Sequence, residues 1–324
     1  MTRVGIVGAG FIAEVHARAW RSLGVELAGY SRSGIGTLAD CGMVEYDSLV
    51  ALIDAVDLVD VCTPTPFHPE IVGAALDRRR AVLCEKPLAL TVAEATALAD
   101  RADRAGTPLY VGHVLRYFGP YAAAKRALDA QALGRPAVAR FVRMGEFPSW
   151  GRWLGDDRQS GGIILDQMIH DLDMARWLFG PVTVVQAEES VRVADSPVRS
   201  AHVLLRHHSG AISSITGVWG TVGLAFATRF SVSGATGRLD HDSRTHLSYS
   251  ADPGRSGPRE SMLPLTSDDP WKAQLADVLD ALNGGPPPRS SAADAVEAVR
   301  IAQAAVTGAR TGETVELESH ERQP

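Results

Sequence analysis

The opening strand, turn and helix constrain this chain more than any other stretch. A short apolar run, Val4 to Val7, leads straight into Gly8-Ala9-Gly10-Phe11-Ile12-Ala13, and an amphipathic pattern comes next. In a turn between a buried parallel strand and a helix, the first glycine allows the tight bend. The second lets backbone approach a pyrophosphate, and a small residue in the place of Ala13 lets the helix pack closely on the sheet. The helix N-terminus adds unpaired N–H groups that suit an anion. A glycine pattern of this kind is weak alone, but a strand before it and a helix after it give it meaning. Gly8, Gly10, Phe11 and Ile12 are the cofactor-binding candidates of this turn.

The next hundred residues repeat the same grammar. Apolar runs at Glu26 to Tyr30, Leu58 to Val61, Ala81 to Cys84 and Leu109 to Val111 alternate with helical patterns. Two of those helices, Phe11 to Leu23 and Thr91 to Ala105, end at glycines fit for a helix C-cap. This predicts an α/β fold whose N-terminal part is a doubly wound parallel sheet of the Rossmann kind over residues 1–117. After Gly119-Pro120 the pattern changes. A helix over Tyr121 to Leu133 leads into β-rich runs at Ala137 to Arg143, Val182 to Val193, Ala201 to Arg206, Ala211 to Val218 and Thr228 to Ser233. Residues 118–324 are therefore expected to form an α+β domain with a mostly antiparallel open sheet. Asp252 to Pro264 has the composition of a surface loop. Gly284 to Pro288 has that of a stiff linker between two late helices, which are expected to pack back toward the N-terminal domain.

Composition narrows the partners. A length of 324 residues exceeds the usual single domain, and a formal charge of -6 gives no basic footprint for nucleic acid. No run reaches the roughly 18 apolar residues of a membrane span, and Met1-Thr2-Arg3 enters a strand with no signal-peptide pattern, so a cytoplasmic protein with no membrane partner is expected. Cys41, Cys62 and Cys84 form no CxxC pair; free thiols and no metal site are the expectation.

Two positions suggest chemistry. At the end of the second strand, where an acid would bind the ribose 2′-hydroxyl of NAD, the chain reads Tyr30-Ser31-Arg32-Ser33. A hydroxyl and a guanidinium without a carboxylate favour NADP over NAD, with Ser31 and Arg32 as the ligands. Lys86 lies just past the run Ala81 to Cys84, in Glu85-Lys86-Pro87. That is the carboxyl end of a buried parallel strand, where ligands of open α/β sheets bind.

Together these motifs resemble the Gfo/Idh/MocA oxidoreductases: the fingerprint with His16 on its helix, Cys62-Thr63-Pro64-Thr65-Pro66-Phe67-His68, Glu85-Lys86-Pro87, and Gly161-Gly162 through Asp166 to His170. The resemblance runs through nearly the whole chain. It implies that Thr63, Pro64 and His68 line the cofactor cleft, that Glu85 and Lys86 sit near the nicotinamide ribose, and that the Lys86-Pro87 peptide is cis. It also implies a homodimer or homotetramer through the C-terminal sheet. His16 itself reads as a packing histidine. In one respect the chain departs from the family: between Arg32 and Val44 it is too short for the usual second helix.

By the same resemblance Lys86, Asp166 and His170 are the catalytic candidates. Asp166 and His170 are four apart, which on one helix would place them on one face. Asp171 and Asp173 read as structural, capping or pairing with Arg176. Oxidising a secondary alcohol releases a hydroxyl proton, and either a histidine with an ordinary pKa near ~6.5 or a lysine shifted by burial could accept it. His113 and Arg116, with Trp153 and Trp150, are candidates for the substrate pocket. The leading expectation is a dehydrogenase or reductase for a polyol or sugar such as an inositol or pyranose. A transient-redox sugar hydrolase or epimerase and a non-catalytic dinucleotide sensor are the alternatives. A sensor has no need of the proton-transfer set Lys86, Asp166 and His170.

Overall fold

The computed structural model describes residues 2–148, 152–190, 198–245, 248–251, 259–261 and 269–318. Its first stretch alternates strand and helix: β1 (Arg3–Val7), α1 (Phe11–Ser22), β2 (Glu26–Tyr30), β3 (Val44–Glu45), α2 (Leu49–Asp54), β4 (Leu58–Val61), α3 (His68–Asp77), β5 (Ala81–Glu85), α4 (Val92–Ala105) and β6 (Leu109–Gly112). The six strands form one parallel sheet in the order β3-β2-β1-β4-β5-β6, the doubly wound arrangement. Every residue of β4 and β5 is buried, which is why they read as short, mainly apolar runs, with Asp60 and Glu85 as the exceptions. Helix ends obey local chemistry. Thr91 and Glu94 form a reciprocal capping box at the start of α4, and Gly106 closes it in the left-handed conformation. Between β2 and β3 there is no α-helix, only a 3-10 turn over Gly36–Cys41.

The next stretch comprises α5 (Gly119–Asp129), β7 (Pro136–Glu146), α6 (Asp157–Ser160), α7 (Gly162–Asp166), α8 (Ile169–Phe179), β8 (Val182–Glu189), β9 (Arg199–His207), β10 (Ile212–Gly220), β11 (Ala227–Gly234), β12 (Gly237–Asp242), β13 (Ser248–Ala251) and β14 (Arg259–Ser261). Then come α9 (Pro270–Leu282), α10 (Ala292–Thr311) and β15 (Val315–Glu316). The second sheet is ordered β14-β13-β12-β11-β7-β10-β9-β8-β15, antiparallel except where β7 and β10 run parallel. Arg259–Ser261 is a strand inside the stretch expected to be a loop; the rest of Asp252 to Pro264 lies outside the described residues.

By compactness the chain divides into Met1–Tyr117 with Ser267–Val299, and Phe118–Thr266 with Arg300–Pro324. The second unit is thus not the continuous stretch 118–324. Helix α9 belongs to the first unit because Leu275 and Val278 join the core formed by Trp20, Val4, Ile6, Leu58 and Leu83. The returning chain is fastened by Arg116, which corrects the expectation for that residue. Its side chain is 1% exposed, donates to the Arg289 carbonyl, and pairs with Asp294 at 3.2 Å. Arg289 in turn donates from its backbone to the Tyr117 hydroxyl at 3.2 Å and lays its guanidinium over that ring at 4.5 Å. The Ser290 hydroxyl donates to the Val111 carbonyl at 2.6 Å. Arg116 is therefore a fastener of this unit, not a substrate ligand.

In the second unit Asp171 does not pair with Arg176 as expected. Its carboxylate takes two hydrogen bonds from Arg143 of β7, at 2.7 and 3.0 Å, and both groups are buried. Burial opposes the charge on Arg143, but the Asp171 carboxylate outweighs it and holds the guanidinium well above its ordinary pKa. Removing one member of such a pair strands a buried charge, whereas replacing both removes the need for compensation. Arg143→Met is expected to cost about 3–5 kcal/mol in urea denaturation. The double variant Arg143→Met/Asp171→Leu should recover most of that loss.

Candidate active site

Sheet register sets out the site of the first unit. Val7 pairs with Val61, Val61 with Cys84, and Glu85 with Gly112. One residue further on, the carboxyl edges of adjacent strands carry Gly8, Cys62 and Glu85 in a row. Gly8 has φ +110°, and a Cβ there would lie 2.7 Å from the Cys62 carbonyl oxygen, so only glycine fits. Gly10 is the N-cap of α1 with no side-chain cap, and a Cβ on it would meet nothing within 4 Å. Helix α1 therefore starts without a side-chain cap, beside open space at Gly10. At this start Phe11 is 69% exposed and Ile12 half-buried, while the Thr63 hydroxyl oxygen is buried without a hydrogen-bond partner. Uncapped donors at a helix start, open space at a glycine and a buried hydroxyl without a partner suit a dinucleotide pyrophosphate, so the residues present fit that group.

The ribose end keeps the pattern seen in the sequence. Ser31 shares a 3.3 Å contact with Ser33, and the Arg32 guanidinium stacks over the Phe67 ring at 4.1 Å. The nearby Glu45 carboxylate is engaged with the Ile35 backbone N–H at 3.1 Å. Pro64 precedes the 3-10 turn Thr65–Phe67 and shapes the loop that holds Thr63.

His68 differs from its expected role. It is buried, with Nδ1 2.9 Å from the Pro87 carbonyl and Nε2 2.8 Å from the Thr63 carbonyl. Burial lowers its pKa despite those two carbonyls, and a neutral ring donates to one of them at a time. With both nitrogens turned to backbone, His68 joins the Thr63 loop to the Glu85-Lys86-Pro87 segment and does not itself line a cleft. Lys86 is half-buried just beyond β5, and the Lys86-Pro87 peptide is cis.

Beneath Glu85 lies a cluster that sequence reasoning missed. Asp60, in the buried strand β4, accepts from His16 Nδ1 at 2.9 Å and from Trp20 Nε1 at 2.7 Å, and the Cys62 thiol lies 3.4 Å away. His16 Nε2 is 3.4 Å from Glu85 Oε1. Glu85 Oε2 lies 3.2 Å from the Lys86 backbone N–H, which donates to it. Burial is the largest influence and acts to lower the His16 pKa, but Asp60 and Cys62 together outweigh it, and the imidazole is held well above its ordinary value. Cys62 is pushed far up by burial and by Asp60. Nδ1 of His16, an oxygen of Asp60 and the sulfur of Cys62 lie within 4.8 Å of one another, a set that could ligate a metal. With His16 protonated, its Nδ1 carries a hydrogen directed at Asp60, and the cluster is held by hydrogen bonds. The available signal was Asp60 itself, a carboxylate inside an apolar strand, which demands a partner.

In the second unit the four-residue spacing of Asp166 and His170 does not span one helix. The Ile163 carbonyl accepts from both Gln167 and Met168, each at 3.0 Å, so α7 stops at Asp166 and α8 begins at Ile169. Met168, at the break, seats against Gly217 of β10, where a side chain would collide with it. Asp166 and His170 are both half-buried and flank this junction. Trp153 lies half-buried in the 3-10 turn Arg152–Gly155, and Trp150 lies outside the described residues. His113 comes directly after β6 and is buried.

A parallel sheet in Rossmann order with an uncapped glycine turn, joined in one chain to an open mixed sheet, is the architecture of a dinucleotide-binding protein of two units. Comparison with known proteins gives the family. Residues 2–113 match the oxidoreductase family with an NAD-binding Rossmann fold, and residues 121–240 match the GFO/IDH/MocA C-terminal domain. The chain belongs to the GFO/IDH/MocA oxidoreductases. It is 31% identical to a D-apiose dehydrogenase of Paraburkholderia graminis over 98% of this chain and 90% of that one. It is 29% identical to a myo-inositol 2-dehydrogenase of Thermotoga maritima, covering 98% of each. A crystal structure of a probable dehydrogenase from Thermotoga maritima superposes with a TM-score of 0.83 at 28% identity, covering 97% of this chain and 98% of that one.

The raised His16 pKa fixes the sign of one pH effect. A histidine whose folded pKa exceeds its unfolded value near ~6.5 contributes all its stabilisation below that value and loses it as pH rises toward the folded pKa. Unfolding free energy is therefore expected to fall between about pH 6.5 and 8, below the range of ordinary thiol titration. His16→Asn should flatten that slope when urea midpoints are compared across this window.

Proposed function

We propose that this protein is an NAD(P)-dependent dehydrogenase or reductase that interconverts a secondary alcohol and a ketone on a polyol or sugar. The observation that carries the reading is the placement of Lys86 directly beyond β5, on the same sheet edge as the uncapped glycine turn of β1. Similarity to dehydrogenases of apiose and of myo-inositol supports the substrate class. When bound, the nicotinamide dinucleotide supplies hydride acceptance or donation. Gly8, Gly10 and the first turn of α1 would hold its pyrophosphate, Thr63 its neighbouring oxygens, and Ser31 and Arg32 its ribose end.

The remaining chemistry falls to the protein's own side chains. An alcohol can give up hydride only as its hydroxyl proton departs, so a base must reach that proton and a cation must favour the developing negative oxygen. In this reading the Lys86 ammonium donates to the reacting oxygen, His170 takes up the proton, and Asp166 orients the imidazole or a neighbouring substrate hydroxyl. In ketone reduction His170 returns the proton. A screen of D-apiose and inositols with each cofactor, followed by nicotinamide absorbance, tests the reading. Lys86→Ala and His170→Ala are each expected to lower kcat by about 10²–10⁴-fold. Wild-type turnover in both variants would overturn the roles of Lys86 and His170.

For the cofactor the proposal is NADP in preference to NAD. Residues 30–33 offer a hydroxyl and a guanidinium but no carboxylate, and stacking on Phe67 holds the guanidinium before any ligand arrives. A charge-assisted contact of this kind contributes about 1.5–3 kcal/mol. Arg32→Ala should therefore weaken NADPH binding by about 10–100-fold while leaving NADH affinity nearly unchanged in fluorescence titrations.

A further inference from the structure

The geometry points to Arg143 and Gly217 as positioning residues: a seat on two neighbouring strands that sets the break between α7 and α8, and with it where His170 and Asp166 stand. This rests on the reading of His170 as the group that exchanges the hydroxyl proton.

Strands β7 and β10 run parallel, and Arg143 pairs in register with Gly217. Register partners face the same side of a sheet, and here it is the side on which α7 and α8 pack. The two residues act in opposite ways. Arg143 projects a buried guanidinium whose Nε and Nη2 donate to the two carboxylate oxygens of Asp171, at 2.7 and 3.0 Å. Gly217 projects nothing. A Cβ there would lie 2.5 Å from Met168 Cγ and 2.7 Å from its sulfur, so the bare backbone is the recess that receives Met168. Met168 and Asp171 bracket His170, and their backbones are joined as well: the Met168 carbonyl accepts from the Asp171 and Leu172 N–H groups at 3.0 and 2.9 Å. His170 is thus held inside one turn whose two ends are fixed to adjacent strands, one by a forked ion pair and one by shape. Asp166 ends α7 on the other side of Met168, so the same seat governs how α7 meets α8. A planar fork on a carboxylate fixes direction as well as distance. Covering the sheet would need neither device, since an apolar pair at 143 and 171 would pack there without buried charge.

The experiment separates placement from stability in the full-length protein. Arg143→Lys keeps a cation but loses the fork, and Gly217→Ala presses on Met168, while Met168→Ala in the Gly217→Ala background restores the room. With histidines labelled with 13C at Cε1, the His170 signal is identified by its loss in His170→Ala. In the cofactor-free protein, Arg143→Lys and Gly217→Ala are each expected to move that signal. With the polyol found in the substrate screen, kcat per cofactor-binding site should fall by about ten- to hundredfold with KM changed far less. The deuterium isotope effect on kcat at the reacting carbon should rise, because a displaced base slows the chemical step and not release. Met168→Ala should return these readouts part of the way in Gly217→Ala and not in Arg143→Lys. An unmoved His170 signal in both single variants would overturn the proposal, as would wild-type kcat and isotope effect in both when His170→Ala is itself impaired. Should Arg143→Lys fail to fold, the pair Gly217→Ala and Met168→Ala decides alone: recovery supports the seat and its absence refutes it. His170→Ala with undiminished turnover would strike at the function reading alone, because the His170 signal still reports whether the seat holds that ring.

Discussion

A carboxylate in the middle of a parallel sheet sets the terms for everything around it. Asp60 pairs in register with Ile6 of β1 and Leu83 of β5, both apolar and fully buried. Taking one such charge out of water costs several kcal/mol even after relaxation, so the fold has to supply partners. It does so from two directions: α1 contributes His16 and Trp20, one turn apart, and the end of β4 contributes Cys62. Those contacts tie the glycine-turn helix to the centre of the sheet. His16 Nε2 also lies 3.4 Å from Glu85 at the end of β5, just before Lys86.

The row of residues at that edge follows from register more than from any single side chain. Parallel pairing puts Gly8, Cys62 and Glu85 side by side, and β6 adds Gly112 opposite Glu85. The two glycines do different things. Gly8 takes a backbone angle that a side chain would not tolerate, against the Cys62 carbonyl. Gly112 has an ordinary strand conformation and matters for the space it leaves to a carboxylate. His68 lies between two carbonyls, one in the loop after β4 and one in the segment after β5, and donates to one of them at a time.

Much of this architecture was legible before any coordinates, because short, mainly apolar runs and a glycine turn are local signals. β1, β2, β4, β5 and β6 fall where the runs fall. What the sequence hid was either too short or too distant. β3 is two residues long and α2 only six, below the length at which periodicity speaks. Arg116 and Asp294 are far apart in the chain, as are Arg143 and Asp171, and a pair of opposite charges carries no sequence signal across such a gap. Asp166 and His170 mislead for another reason. Spacing of four implies one helical face only if the helix is continuous, and the Ile163 carbonyl, accepting twice, ends it between them. The buried cluster was half legible: His16 reads as a packing histidine, which it is, while Asp60 inside an apolar strand was the clue to what it packs against.

Family membership fixes the class of chemistry and leaves the substrate to the side chains. At 31% identity to an apiose dehydrogenase and 29% to an inositol dehydrogenase, the fold is shared with proteins that act on quite different carbon skeletons. Those skeletons have a secondary alcohol in common, and it is that group, rather than ring or chain, that a lysine and a histidine can address. The demand on the protein is then narrow: one cation for an oxygen that becomes negative, and one base for its proton.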